Sequence, residues 1–198
     1  MTKHNVTCII PAYNEGSRVI PVIQAALHCP LLGEIVVVND GSTDTTGAIL
    51  RTLSKEYGTR LFVLERENSG SKAGALNYAL PYALGEILVC IDADTVIGSH
   101  TIKRLVAHFS DPHIGAVAGK VYPASTRTIL EKFQYLEYMQ GQNLEKSVMA
   151  IGGAIGVVPG AIGAWRKSAL LGVGGYSRDT VVEDQDVTLA LLSEGWKI

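Results

Sequence analysis

Cysteine is scarce in this sequence, and the three present, Cys8, Cys29 and Cys90, have no spacing that would hold a metal. Cys8 and Cys90 sit inside apolar runs and read as reduced core residues, which fits a reducing compartment. There is no Lys/Arg run, and the formal net charge is -2, so the electrostatic footprint of a nucleic-acid binder is missing. No signal peptide is visible, because MTKHNVTCIIPAYNE turns polar after a short apolar stretch. A membrane span is also disfavoured. Residues 147–165 are uncharged, and Gly152, Gly156 and Gly160 have the spacing of a helix-dimer motif, but Pro159 and the low Leu, Phe and Ile content argue for a Gly-rich strand and loop near a ligand. No repeat, low-complexity linker or Ser/His/Asp or Cys/His nucleophile set is apparent, and the scattered histidines do not suggest zinc.

What is present suits one globular domain of 198 residues, with 47% hydrophobic and 18% charged residues. The first two-thirds alternate strands with helices. Strands are expected at Val6–Ile10, Ile35–Val38, Leu61–Leu64, Ile87–Ile91 and Ile114–Val121. Between them, apolar residues recur with helical period around Val19–Leu27, Ile49–Leu53, Lys72–Leu80 and Ile102–Phe109, with Thr43 or Asp44 and Ser99 as candidate caps. This order implies an α/β fold, a mainly parallel central sheet with helices on both faces. Residues 129–144 read as one long amphipathic helix, and Glu183–Ser193 as the final helix. The chain stops at Trp196-Lys197-Ile198 as an apolar strand begins, so a fragment of a longer protein is expected.

Ligands of such sheets bind at the carboxyl ends of the strands. Three polar clusters follow strands directly: Pro11-Ala12-Tyr13-Asn14-Glu15, Asn39-Asp40-Gly41-Ser42 and Asp92-Ala93-Asp94. Two carboxylates one residue apart at a strand end can face a divalent cation such as Mg²⁺ or Mn²⁺ together with substrate phosphates, although an acidic turn explains them too. Asp40 can accept a hydrogen bond from a base or ribose, or can serve in a turn and helix cap. Lys72, beside the small-residue loop 68–71, can hold a diphosphate or can be a solvated lysine. Glu183, Asp184 and Asp186 favour the dipole of the last helix, and one of them can also act as a general base.

The ordered set is more specific than any member. IIPAYNE (9–15), VVVNDGSTDTT (36–46), ENSGSKAGALNYAL (67–80), IDADT (91–95), GAIGAWRKSALLGVGGY (160–176) and TVVEDQDVTLALLSEGW (180–196) resemble glycosyltransferase family 2, with the GT-A fold. The later two stretches look most like processive polysaccharide synthases, such as poly-N-acetylglucosamine, chitin, hyaluronan and cellulose synthases.

The resemblance implies an inverting, metal-dependent transfer of a sugar (N-acetylglucosamine or another hexose) from a UDP-sugar to a hydroxyl of a carbohydrate or lipid-linked acceptor. It implies that Pro11, Ala12, Tyr13 and Glu15 line the nucleotide pocket, Asp40 reads the uracil, and Lys72 touches the diphosphate. Asp92 would face the sugar or ribose side and share the metal with Asp94. Asp184 would be the base, with Glu183 beside it, and Gly160 and Trp165 would border the acceptor. It further implies that the full-length protein works at the cytoplasmic side of the cell membrane, through segments outside this otherwise soluble chain.

Two departures stand out. Ser71 separates Gly70 from Lys72, where the family stretch often reads Asn-x-Gly-Lys-Ala, and the Gln-x-x-Arg-Trp segment of processive members is not in the chain. Two rival readings remain at this stage. One is a haloacid-dehalogenase-like phosphatase with Asp92 as nucleophile and Lys167 and Asp184 as the later lysine and acid, and the other is a non-catalytic sugar-nucleotide-binding module.

Overall fold

The computed structural model describes residues 5–141, 146–180 and 182–198. Six strands form one sheet: β1 (Val6–Ala12), β2 (Leu32–Asp40), β3 (Leu61–Arg66), β4 (Ile87–Ile91), β5 (Ala116–Ala118) and β6 (Ile162–Arg166). Their order is β3-β2-β1-β4-β6-β5. The four strands β3, β2, β1 and β4 are mutually parallel, as expected from strands spaced by helices. β6 runs antiparallel to both β4 and β5.

The side-chain period of two sorts each strand onto two packed faces. Cys8, Ile10, Ile35, Val37, Val89, Ile91, Ile162 and Ala164 face one cluster, completed by helices α1 (Val19–Leu27), α2 (Thr46–Tyr57) and α4 (Thr101–Ala107). Ile9, Val36, Val38, Leu88, Cys90 and Trp165 face the other, completed by α3 (Lys72–Ala79), α7 (Lys167–Gly172) and α8 (Glu183–Ser193). All five residues of β4 are buried, which is why its sequence, ILVCI, is a continuous apolar run rather than an alternating one. Removing one such Ile or Leu side chain from water stabilises the fold by roughly 2 kcal/mol.

Several expectations are corrected. The fifth strand is only Ala116–Ala118, the three residues that pair with β6. The Gly-rich segment does contain a strand, β6, but it lies inside the sheet, between β4 and β5. It is preceded by a short helix, α6 (Lys146–Ile151). The expected amphipathic helix is α5 (Ile129–Met139), opened by a capping box between Thr128 and Glu131. No residue of α5 is buried, and the expected end at Leu144 lies outside the described residues. Thr43 does not cap α2. Nor does Asp44, since the N-cap is Thr45 and makes no side-chain cap bond; Asp44 Oδ1 accepts from the Thr46 amide at 2.9 Å from one residue further out. Ser99 does not cap α4, which begins after His100 without a side-chain cap. Among the described residues, no helix is long and apolar enough to cross a membrane.

Candidate active site

The parallel strands β1, β2 and β4 end at one rim. Antiparallel β6 brings its amino end to that same rim, since Ile162 pairs with Ile91 and the Asp92 amide donates to Ala161 O at 3.1 Å. The loops after β1 and β2 are clamped together. Asn14 takes the left-handed conformation, with φ 55, and its Oδ1 accepts from the amides of Thr43 (2.8 Å) and Asp44 (3.3 Å). Thr46 Oγ1 accepts from the amides of Glu15 and Gly16 at 2.9 and 2.8 Å. The PAYNE stretch is thereby fixed as a wall rather than left as a free loop.

A cleft of about 440 Å³ opens on this rim. Pro11, Ala12, Tyr13, Glu15, Asp40, Lys72, Asp92 and Asp94 all line it, as do Asn68, Gly70 and Ser71. The volume lies in the range of small-molecule sites. Asp40 is 5% exposed, and its carboxylate is already engaged. Ser69 donates to it from both its amide (3.1 Å) and its hydroxyl (2.7 Å), and Arg66 Nε lies 3.2 Å away. Arg66 in turn stacks over the Tyr78 ring, 4.8 Å from its centroid. Arg66, Asn68 and Ser69 had no assigned role in the sequence reading. The register of Asp40 with Arg66 across β2 and β3 is the feature that joins them.

Negative charge is concentrated beside Asp40. Burial raises the Asp92 carboxyl above its usual range, against the Lys72 ammonium that lowers it, and Asp94 and Asp184 raise it further. Burial likewise raises Glu15, opposed by Arg18, with Asp94, Asp92 and Asp44 adding to the rise. Glu15 Oε2 is buried and accepts no hydrogen bond, although Arg18 Nη2 sits 3.0 Å from it. Carboxylates held together in this way are a hard-oxygen donor set whose repulsion a divalent cation would relieve. Among the described residues, no three His, Cys, Asp or Glu side chains converge as a complete ligand set. Mg²⁺ and Mn²⁺ commonly keep water and substrate phosphate oxygens as ligands. Asp92 and Asp94 are the residues of this loop whose chemistry fits such an ion.

Asp184 stands at the start of α8, in a small recess shared with Glu183, Gly160, Pro159 and Lys72. Its Oδ2 accepts from the Gly160 amide at 2.9 Å. The Lys72 ammonium reaches from the donor side, donating to Gly160 O at 2.8 Å and pairing with Asp92. Asp40, Asp92 and Asp94 thus share one cleft, and Asp184 adjoins it through Lys72. Thr188 locks this junction, donating to Asp184 O at 2.6 Å and accepting from the Val158 amide at 3.0 Å. Lys146, absent from the sequence reading, faces the same acid. Burial lowers its ammonium, and Asp184 opposes that shift.

Trp165 is 2% exposed and packs edge-on against Tyr176, at a centroid distance of 5.7 Å. Strand alternation turns it into the core, from where it lines the recess of Asp184 and Gly160. One rival role does not match the placement. Lys167 lies at the opposite end of the sheet, where Arg166 pairs with Ile87, and donates to Ala83 O at 2.5 Å. It is therefore out of reach of Asp92, and the phosphatase arrangement is not formed.

A parallel sheet carrying an Asp-x-Asp loop at its carboxyl rim, with an antiparallel strand inserted beside β4 and the acid at the start of α8 adjoining the same rim, is the arrangement of a GT-A fold glycosyltransferase domain. The sequence model for "Glycosyl transferase family 2" matches residues 7–170, and the chain belongs to that family. The chain is 31% identical over 195 residues to poly-beta-1,6-N-acetyl-D-glucosamine synthase of Staphylococcus aureus, covering 98% of this chain and 47% of that protein. The Staphylococcus epidermidis synthase is also 31% identical, with 45% of its length covered. The chain thus spans about half the length of these curated relatives. Among solved structures, the mannosyltransferase PcManGT from Pyrobaculum calidifontis, in complex with GDP-Man and Mn²⁺, superposes with a TM-score of 0.82 at 26% identity, covering 98% of this chain and 53% of that one. S. aureus TarS in complex with UDP-GlcNAc gives a TM-score of 0.66 at 20% identity, covering 94% and 53%, a likeness of fold.

Proposed function

We propose that this domain transfers a hexose, N-acetylglucosamine in the first instance, from its UDP-activated form to an acceptor hydroxyl, with inversion at the anomeric carbon, in the synthesis of a polysaccharide. The observation that carries the reading is the junction at Lys72, where a nucleotide-sized cleft with an Asp-x-Asp loop meets the recess holding Asp184. The sugar assignment is supported by the two staphylococcal synthases.

In this reading the nucleoside lies against Pro11, Ala12, Tyr13 and Glu15, and Asp40, oriented by Ser69 and Arg66, accepts a hydrogen bond from the base. The diphosphate lies at Lys72 and the start of α3. Asp92 and Asp94 would hold Mg²⁺ or Mn²⁺, which supplies charge neutralisation for the diphosphate. Lys72 contributes the same kind of stabilisation from the chain itself. The acceptor hydroxyl gives its proton to the Asp184 carboxylate while its oxygen bonds to the anomeric carbon. The bond from that carbon to the diphosphate oxygen breaks, and its electron pair leaves with UDP. Gly160 borders the acceptor side, and Glu183 sits beside the base. Residues 1–120 supply the donor half and 121–198 the acceptor half. A carbohydrate or lipid-linked acceptor and a position at the cytoplasmic side of the cell membrane belong to the same proposal, supported by the likeness to the synthases.

The test is Asp184→Asn. Asn fills the same space and can still accept from the Gly160 amide, but it cannot take a proton. Transfer from UDP-N-acetylglucosamine should fall by about 10²- to 10⁴-fold, while UDP affinity measured by calorimetry stays within about twofold. Transfer rates like those of the parent would remove Asp184 from the role. GDP-mannose as a parallel donor tests the uridine assignment.

A further inference from the structure

The contacts of Gly160 go beyond a border on the acceptor side. Its two peptide groups face opposite parts of the proposed site: the N–H donates to Asp184 Oδ2 at 2.9 Å, and the C=O accepts from Lys72 Nζ at 2.8 Å. Lys72 is also paired with Asp92. A single residue therefore stands between the donor-side cation and the acid on α8, and it has no side chain to interfere. A Cβ built on Gly160 would meet Lys72 Nζ at 2.9 Å and Asp184 Oδ2 at 3.4 Å. No backbone or ring atom blocks that position, and Gly160 has no positive φ. Glycine is thus not demanded here by conformation. What crowds the position is the free end of Lys72, the Asp184 oxygen lying at ordinary contact distance.

We infer that Gly160 is a positioning residue, holding Lys72 through its carbonyl and Asp184 through its amide, so that the cation meeting the departing diphosphate and the base meeting the acceptor are set in one register. The inference rests on the reading of Lys72 as diphosphate ligand and Asp184 as base. The carbonyl keeps the ammonium on the Asp184 side of the cleft and shares it with Asp92. The amide fixes one carboxylate oxygen and leaves Oδ1, which accepts from the Gln185 amide at 2.9 Å, as the more open face of the acid.

Gly160→Ala is the selective probe. The methyl group meets the free end of a lysine, which can swing aside without disturbing the core, and the Ala amide still donates to Asp184. The melting temperature should stay close to that of the parent. The donor kcat/KM should fall about tenfold, the value of a lost hydrogen bond to a charged group, with part of the loss in kcat because Lys72 also stabilises the departing diphosphate. In a Lys72→Met background the same change should cost nothing further, because the group it displaces is already gone. Lys72→Arg, which keeps a donor at the carbonyl, should restore part of the donor affinity that Lys72→Met loses.

A readout independent of turnover is the Gly160 carbonyl carbon resonance in the unliganded protein. It should move in Lys72→Met and return toward the parent position in Lys72→Arg. Additive effects of Gly160→Ala and Lys72→Met on kcat/KM, or a carbonyl resonance indifferent to residue 72, would overturn the inference while leaving a working transferase. A parent protein that neither binds UDP nor transfers sugar, yet shows the resonance behaviour, would instead overturn the proposed function and leave the coupling in place.

Discussion

Burial decides how several side chains behave. Cys90 is fully enclosed, and desolvation, partly offset by the hydrogen bond with Tyr176, pushes its thiol up to about 11. Cys8 is likewise raised well above its ordinary value, chiefly by burial. At pH 8 about one Cys90 in a thousand is a thiolate, so both residues should resist alkylation in the native protein and react fully in denaturant. Rapid native labelling at either position, located by mass spectrometry, would contradict the packing. The apolar runs around these two cysteines made their burial legible in the sequence.

The state of Glu15 was not legible, because it depends on Asp44, Asp92 and Asp94 arriving from other loops. Its folded-state carboxyl is raised, so the fold binds that proton more tightly than the unfolded chain. The favourable contribution is complete below the ordinary value of 4.5 and is lost as pH rises through the folded value, leaving a cost at neutral pH. Glu15→Gln should therefore be more stable than the parent at pH 7 in chelator, by about 0.5 kcal/mol. The gain should shrink as pH falls through the raised folded value and be gone below 4.5. Urea melts at several pH values measure it, and a gain that grows toward acid would mean that the sign is wrong.

The elements themselves were legible where one face or both faces of a strand had to be apolar. β1, β2, β3 and β4 were readable from their sequences because they are flanked by helices in a parallel sheet. β6 was not, because its place between β4 and β5 depends on a pairing between Ile162 and Ile91, which no local pattern reports. Asp184 was legible only as an acid near a helix start, and what gives it a partner is that same strand, whose entry presents the Gly160 amide.

Loops can be as exacting as strands. Gly41 has φ +73, and a Cβ there would lie 2.4 Å from the Asn68 backbone nitrogen. The clash is with main chain, so no side chain can relieve it by rotating. Gly41→Ala should destabilise the protein by about 3 kcal/mol. It should also weaken UDP binding, since the displaced segment includes Ser69, the partner of Asp40. Denaturant melts and calorimetry report the two effects separately. A fully stable variant would mean that this turn is less tightly determined than its geometry indicates.

At the scale of the whole molecule, donor affinity and fold stability are linked, because the cleft is assembled from loops that meet only in the folded chain. Residues 11–15, Asp40, residues 68–72 and residues 92–94 come from four different strand ends. A ligand held by all of them binds the native state and not the unfolded one. At a hundredfold excess over its Kd, UDP with Mn²⁺ should add about 2.7 kcal/mol of stability. For a domain of this size that is a rise of about 5–10 °C in Tm. In the proposed function the metal part of that rise depends on Asp92 and Asp94, whose charges repel one another and Glu15 when no cation offsets them. EDTA, or Asp94→Asn, should therefore remove most of the increment seen with Mn²⁺ while leaving a smaller one from UDP alone. An equal rise with and without chelator would exclude these acids as the metal site. A larger rise with GDP than with UDP would leave the cleft a nucleotide site but would overturn the uridine assignment of Asp40.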